Sequence, residues 1–143
     1  MMDSKGVNVV DRMNKHFKKE YTSKYDIDLE FGESFEYSLA HILNMGKVEI
    51  KTERDKWKKS GNIAIELMNQ GGLSGLNITE AEWWAHILSF KGDIKSVILV
   101  PVPKLKKLVK KLVTEGKAKL TMGGDNNESQ LALVPLKEIH DNI

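Results

Sequence analysis

The chain has no cysteine, which excludes thiol catalysis, disulfide cross-links and cysteine-ligated zinc. No apolar run approaches the roughly 20 residues that cross a bilayer. The N-terminus is polar and lacks the apolar core of a signal peptide, so residence in the cytoplasm is expected. An excess of one charge is missing too. Lys and Arg number 22 against 20 Asp and Glu, a formal net charge of +2. Such a balance permits nucleic-acid binding without demanding it, and the placement of charge matters more than its sum. What remains is 143 residues, 41% hydrophobic and 29% charged, as in a soluble globular domain. That length can bury a substantial core as one domain without a structural metal.

Periodicity divides the chain into elements. Val7, Val10, Met13 and Phe17 predict a helix over residues 1 to about 24, made basic by Arg12, Lys15, Lys18, Lys19 and Lys24. Phe31, Phe35, Leu39 and Ile42/Leu43 predict a second from about Leu29 to Leu43, ended by Asn44 to Gly46. Strands are expected at 47–53 and 62–68, then a flexible glycine-rich loop over 69–75. Thr79 with Glu82 forms a capping-box pattern, which predicts a third helix carrying Trp83, Trp84, Ile87 and Leu88. Residues 96–102 read as a buried strand, and Pro103 opens a helix to about Glu115 that Gly116 closes. A short strand over 117–122, a turn at 123–127 and a last strand over 130–136 complete the order. Mixed helices and strands of this kind predict an α/β (α+β) fold, a central mixed sheet flanked by helices.

The segment with most chemistry is Lys47-Val48-Glu49-Ile50-Lys51. On a strand, alternate side chains share a face, so Glu49 and Lys51 project together while Val48 and Ile50 face a core. A carboxylate can hold a divalent cation, and a neighbouring ammonium can orient water and offset phosphate charge. The competing reading is an ordinary surface strand of alternating charge. Asn62 to Leu67 alternates as well and places Glu66 opposite its apolar face. Pairing the two strands as a hairpin would bring Glu66 to Glu49 and Lys51. Glu36, midway along the second helix, is a further carboxylate that packing could aim at the same cation, with Glu33 one turn earlier as its competitor.

Other features have two readings each. Lys104, Lys106, Lys107, Lys110 and Lys111 decorate one face of a helix whose other face is apolar. That face would follow a phosphate backbone, or simply be solvated around a core helix. Membrane-surface binding ranks last. Trp57, among Arg54, Lys56, Lys58 and Lys59, would stack on an unpaired base or pack in the core. The four histidines lack metal-site spacing, and Gly71 to Gly75 is followed by no Gly-Lys-Ser/Thr, so it is no Walker loop.

Gly32-x-x-x-Glu36, Lys47 to Thr52, Ser60-Gly61-Asn62-Ile63-x-Ile65-Glu66, Leu73-Ser74-Gly75-Leu76 and Thr79 to Trp84 occur in one order. This series, with Gly123-Gly124-Asp125 and Leu131-x-Leu133-Val134-Pro135-Leu136, resembles small phage-type nucleases of the PD-(D/E)XK superfamily, the Holliday-junction-resolving kind among them. The resemblance covers about residues 30 to 139. It implies a restriction-endonuclease-like fold, Mg²⁺ or Mn²⁺ at a carboxylate cluster, and phosphodiester hydrolysis in DNA. Carried over, Glu49 is a metal ligand, Lys51 the catalytic lysine and Glu36 the helix glutamate. Glu66 is added as a ligand from strand pairing alone. Ser74 joins Trp57, Lys58, Lys59 and the lysines at 106, 107, 110 and 111 as an expected DNA contact.

The chain departs from the superfamily in one respect. An aspartate usually stands on the strand before Glu-x-Lys, but the twelve residues between Glu36 and Glu49 contain no acid. Glu36, Glu66 or Asp55 would have to supply that ligand. The expectation is a metal-dependent endonuclease for branched or distorted DNA in phage recombination, a homodimer in the host cytoplasm. The alternative is a non-cleaving DNA-binding accessory protein on the same kind of fold. A protein-interaction module that blocks a host enzyme is a third reading, for which no sequence feature speaks.

Overall fold

A computed structural model describes residues 24–143. The helix expected over residues 1–24 therefore lies, but for Lys24, outside the described residues. The chain divides into two units, residues 1–45 and 46–143. The described part of the first is one helix, α1 (Lys24–Met45), which starts earlier than its apolar spacing predicted. Tyr37, Leu39 and Leu43 on it are exposed. Among the described residues no helix is long and apolar enough to cross a membrane.

The second unit is mixed α+β. Its strands are β1 (Val48–Glu53), β2 (Asn62–Asn69), β3 (Gly72–Leu73), β4 (Trp83–Phe90), β5 (Asp93–Pro101), β6 (Lys119–Gly123) and β7 (Ser129–Pro135). Helix α2 (Lys56–Ser60) joins β1 to β2, α3 (Val102–Thr114) joins β5 to β6, and α4 (Leu136–Asn142) follows β7. The strands form two sheets rather than one central sheet. One is mixed, in the order β1-β4-β5, and the other is β3-β2-β7-β6. In the first, β1 runs parallel to β4 and β5 returns antiparallel. In the second all pairings are antiparallel.

The core lies under α3. Leu105, Leu108, Val109 and Leu112 form its buried stripe, with the lysines on the other side. They join Ile63 and Ile65 of β2, Ala132 and Val134 of β7, and Trp84, Leu88 and Val100 of the mixed sheet in one cluster. A stripe at three- and four-residue spacing is what a core helix needs. Pro103 in its first turn costs no hydrogen bond, because first-turn N–H groups have no partner within a helix.

Two local expectations are corrected. The segment from Trp83 is a strand, not a capped helix. Thr79 accepts the Ala81 N–H on its Oγ1 at 3.2 Å, closing a short turn. Hydroxyl side chains close such turns and cap helices through the same type of bond, so the sequence pattern fits both. Aromatic and β-branched content, together with pairing on both edges, decides for the strand. The second correction concerns β1. Alternation predicts a core role for its Val48-Ile50 face, yet Ile50 is 62% exposed. Glu49, Lys51 and Glu53 turn inward instead, because β4 offers Trp84 and His86 on that face as partners. Strand β5 also begins earlier than expected and lies at a sheet edge, with Ile94 and Val97 exposed. Helix α4, with Ile139 buried, is an element the sequence pattern did not reveal.

Truncating the fully buried Ile65 to Ala is expected to cost about 2–5 kcal/mol, whereas Ile50→Ala should change stability by under about 0.5 kcal/mol. Urea denaturation followed by tryptophan fluorescence checks both. A large loss for Ile50→Ala would return that side chain to the core.

Candidate active site

Strand alternation places Glu49, Lys51 and Glu53 on one face of β1, opposite Trp84, His86 and Leu88 of β4. The Lys51 ammonium lies 2.7 Å from Glu49 Oε1. It also sits over the Trp84 ring, 5.9 Å from the centroid. Thr79 Oγ1 donates to the second Glu49 oxygen at 3.4 Å. Both members of the ion pair are partly exposed, at 42% and 34%. A pair so wet contributes about 0–1 kcal/mol to stability. Stability is thus a weak reason for these two residues to stand here.

Glu66 arrives from the other sheet. The hairpin expected between its strand and β1 does not form, since β2 pairs with β3 and β7. Nevertheless Glu49, Lys51 and Glu66 line one open cleft of about 650 Å³, with Lys47, Ser74 and Thr79. Ser129 Oγ donates to Glu66 Oε2 at 2.9 Å and accepts from Asn69 Nδ2 at 2.9 Å. A bulge between Glu66 and Met68 turns Asn69 onto the Glu66 side of β2, which makes this chain possible. Two glycines leave it room. A Cβ on Gly124, whose φ is +71°, would sit 2.9 Å from Ser129 Oγ, and one on Gly75 would collide with the Glu66 carbonyl.

Glu53 joins the two sheets. Its Oε2 accepts the Ala64 N–H of β2 at 2.8 Å and faces His86 Nε2 at 3.4 Å. His86 is 2% exposed, and its Nδ1 accepts the Trp84 indole N–H at 3.1 Å. Sequence reading gave Glu53 and His86 no role. Extending the 49–51 alternation by two residues would have found Glu53, but His86 becomes visible only through the parallel register that sets it beside Lys51.

The remaining expected residues lie elsewhere. Asp55 stands past the other end of β1, where its Oδ1 accepts the Lys91 N–H at 2.8 Å, and it does not line the cleft. Trp57 is half-buried against the core, its indole N–H donated to the Ser89 carbonyl at 2.6 Å. That engagement commits Trp57 to packing rather than to base stacking. Lys58 and Lys59 beside it are exposed, the Lys58 ammonium 4.2 Å above the Phe90 ring. Lys107, Lys110 and Lys111 are exposed on α3 and Lys106 is half-buried. Lys104, Lys107 and Lys111 also border a second cleft of about 330 Å³ with Asn142. Glu36 is exposed on α1, which belongs to the first unit.

The donor chemistry fits a hard cation in part. Among the described residues no three acidic or histidine side chains gather as a metal-binding group. Mg²⁺, however, is commonly held by one or two carboxylates, with water and substrate phosphate completing its shell. Glu49 and Glu66 provide two carboxylates lining one cleft. Ser74 lines the same cleft, while its Oγ is buried without a hydrogen-bond partner. Buried hydroxyls are rarely left so. No family model, no curated protein and no solved structure matches the chain.

Glu53→Ala strands the Ala64 N–H and the His86 ring together, and a loss of about 1–3 kcal/mol is expected. Gly75→Ala, which forces backbone from β2, should cost more than about 1 kcal/mol. Chemical denaturation measures both, and wild-type stability in either variant would contradict the geometry described.

Proposed function

We propose that the chain is a metal-dependent DNA endonuclease of the PD-(D/E)XK type, acting on branched or distorted DNA. The observation that carries the reading is the meeting of Glu49, Lys51 and Glu66 in one open cleft although their strands belong to different sheets. Core packing gives no cause for two carboxylates and a lysine to converge at a surface. Phosphodiester chemistry does.

In this reading Glu49 and Glu66 would hold Mg²⁺ or Mn²⁺, and the ion would supply Lewis acidity toward the phosphate and an attacking water. Lys51 donates hydrogen bonds from its ammonium to that water or to a phosphate oxygen, and Thr79 and Glu49 restrict where the ammonium can go. Lys47 at the cleft mouth adds a second cation beside the scissile group. The lysines of α3 supply backbone contacts without base readout, which makes affinity fall with salt. Two symmetric cuts in a four-way junction favour a homodimer.

The test is cleavage of labelled four-way junction, flap, duplex and single-stranded DNA with Mg²⁺, Mn²⁺ or EDTA. Lys51→Ala and Glu49→Gln are expected to lower metal-dependent cleavage by roughly 10²- to 10⁴-fold, the usual reach of a positioned acid–base or charge-stabilising group. Tight junction binding by the wild type with no cutting in either metal would replace this reading with that of a DNA-binding accessory protein.

A further inference from the structure

We propose that His86 and Glu53 are positioning residues for Lys51, acting through the indole of Trp84. The inference rests on the reading of Lys51 as the residue that meets the phosphate. It starts from a hydrogen-bond count. An indole N–H only donates, so His86 Nδ1, 3.1 Å away, must accept. The ring proton is then on Nε2, the nitrogen that faces Glu53 Oε2 at 3.4 Å. Each group thereby sets the orientation of the next. Glu53 is itself fixed by the Ala64 N–H from the other sheet.

Trp84 is the member that meets Lys51, a residue of the cleft. It is 1% exposed, lies 24° from parallel with the His86 ring, and turns one face toward the Lys51 ammonium. A cation within about 6 Å of an indole centroid is attracted by its quadrupole. The attraction depends on which way the ring faces, so tilting the indole moves the preferred place of the ammonium. A partly exposed ion pair to Glu49 cannot alone hold a flexible lysine in one position. The chain Glu53–His86–Trp84, buried at His86 and Trp84, supplies the rigid surface beneath it.

Three single variants of the full chain test the proposal. His86→Phe keeps an aromatic ring but neither accepts from Trp84 nor donates to Glu53. His86→Gln keeps an acceptor and a donor. Trp84→Phe removes the same hydrogen bond from its other end, keeps an aromatic ring in the core although a smaller one, and serves if His86→Phe does not fold. The readouts are the Trp84 indole ¹H–¹⁵N signal, the Lys51 Nζ chemical shift, and kcat and KM for DNA cleavage in Mg²⁺. In His86→Phe the indole and Nζ signals should move and kcat should fall between about 10-fold and 100-fold with KM unchanged, the scale of an ångström-sized misplacement. Trp84→Phe should show the same Nζ shift and loss of kcat, and His86→Gln should restore most of each. Unmoved Nζ signals in both Phe variants, or a Gln variant as impaired as His86→Phe, would overturn the proposal. If the wild type cuts no DNA, the nuclease reading fails by itself, and the Nζ and indole signals still decide whether His86 positions Lys51.

Discussion

The Glu53 carboxylate is the contact on which the arrangement of the site depends. One of its oxygens takes the Ala64 N–H from the unpaired side of β2 and faces the imidazole of a buried histidine in β4. The two sheets share no ladder hydrogen bonds, so their relative placement is left to side chains and to the core under α3. A carboxylate that satisfies a backbone donor is short-ranged and directional, whereas apolar packing tolerates sliding. Glu49 comes from one sheet and Glu66 from the other. Any slippage between the sheets would therefore separate the two carboxylates before it exposed much of the core.

Around that contact the protein places polar side chains where a small domain would ordinarily place apolar ones. The inner face of β1 carries two glutamates and a lysine, and its outer face carries Ile50 in solvent. On Glu66 the same logic recurs through the Asn69–Ser129 chain, with Gly75 and Gly124 holding the backbone close. Burying polar groups is costly unless each finds a partner, and here nearly all do. Among the described residues Ser74 Oγ is the exception, buried in a residue that lines the cleft.

Much of this was legible in the sequence, though not always for the right reason. Period-two alternation gave the Glu49–Lys51 pair directly, and the α3 stripe was clear from Leu105, Leu108 and Leu112. Glu66 was found by assuming a hairpin between neighbouring strands, but β1 chooses β4 as its partner across some thirty residues. Local pattern does not encode that choice. The Thr79–Glu82 signature misled because a hydroxyl that closes a turn looks the same as one that caps a helix. His86 was passed over because a lone histidine gains meaning only from its register, here opposite Lys51. Helix α4 was missed although Leu136 and Ile139 stand three apart after Pro135, since seven residues give too short a period to read.

The central claim is that Glu49 and Glu66, from separate sheets, act on one cation. Mn²⁺ binding followed by EPR in the wild type, Glu49→Gln, Glu66→Gln and the double variant tests it most directly. The account predicts that each single substitution weakens binding and that the double variant is little worse than the weaker single, because neighbours at one site are not additive. Strictly additive losses, or wild-type Mn²⁺ affinity in all three variants, would contradict it.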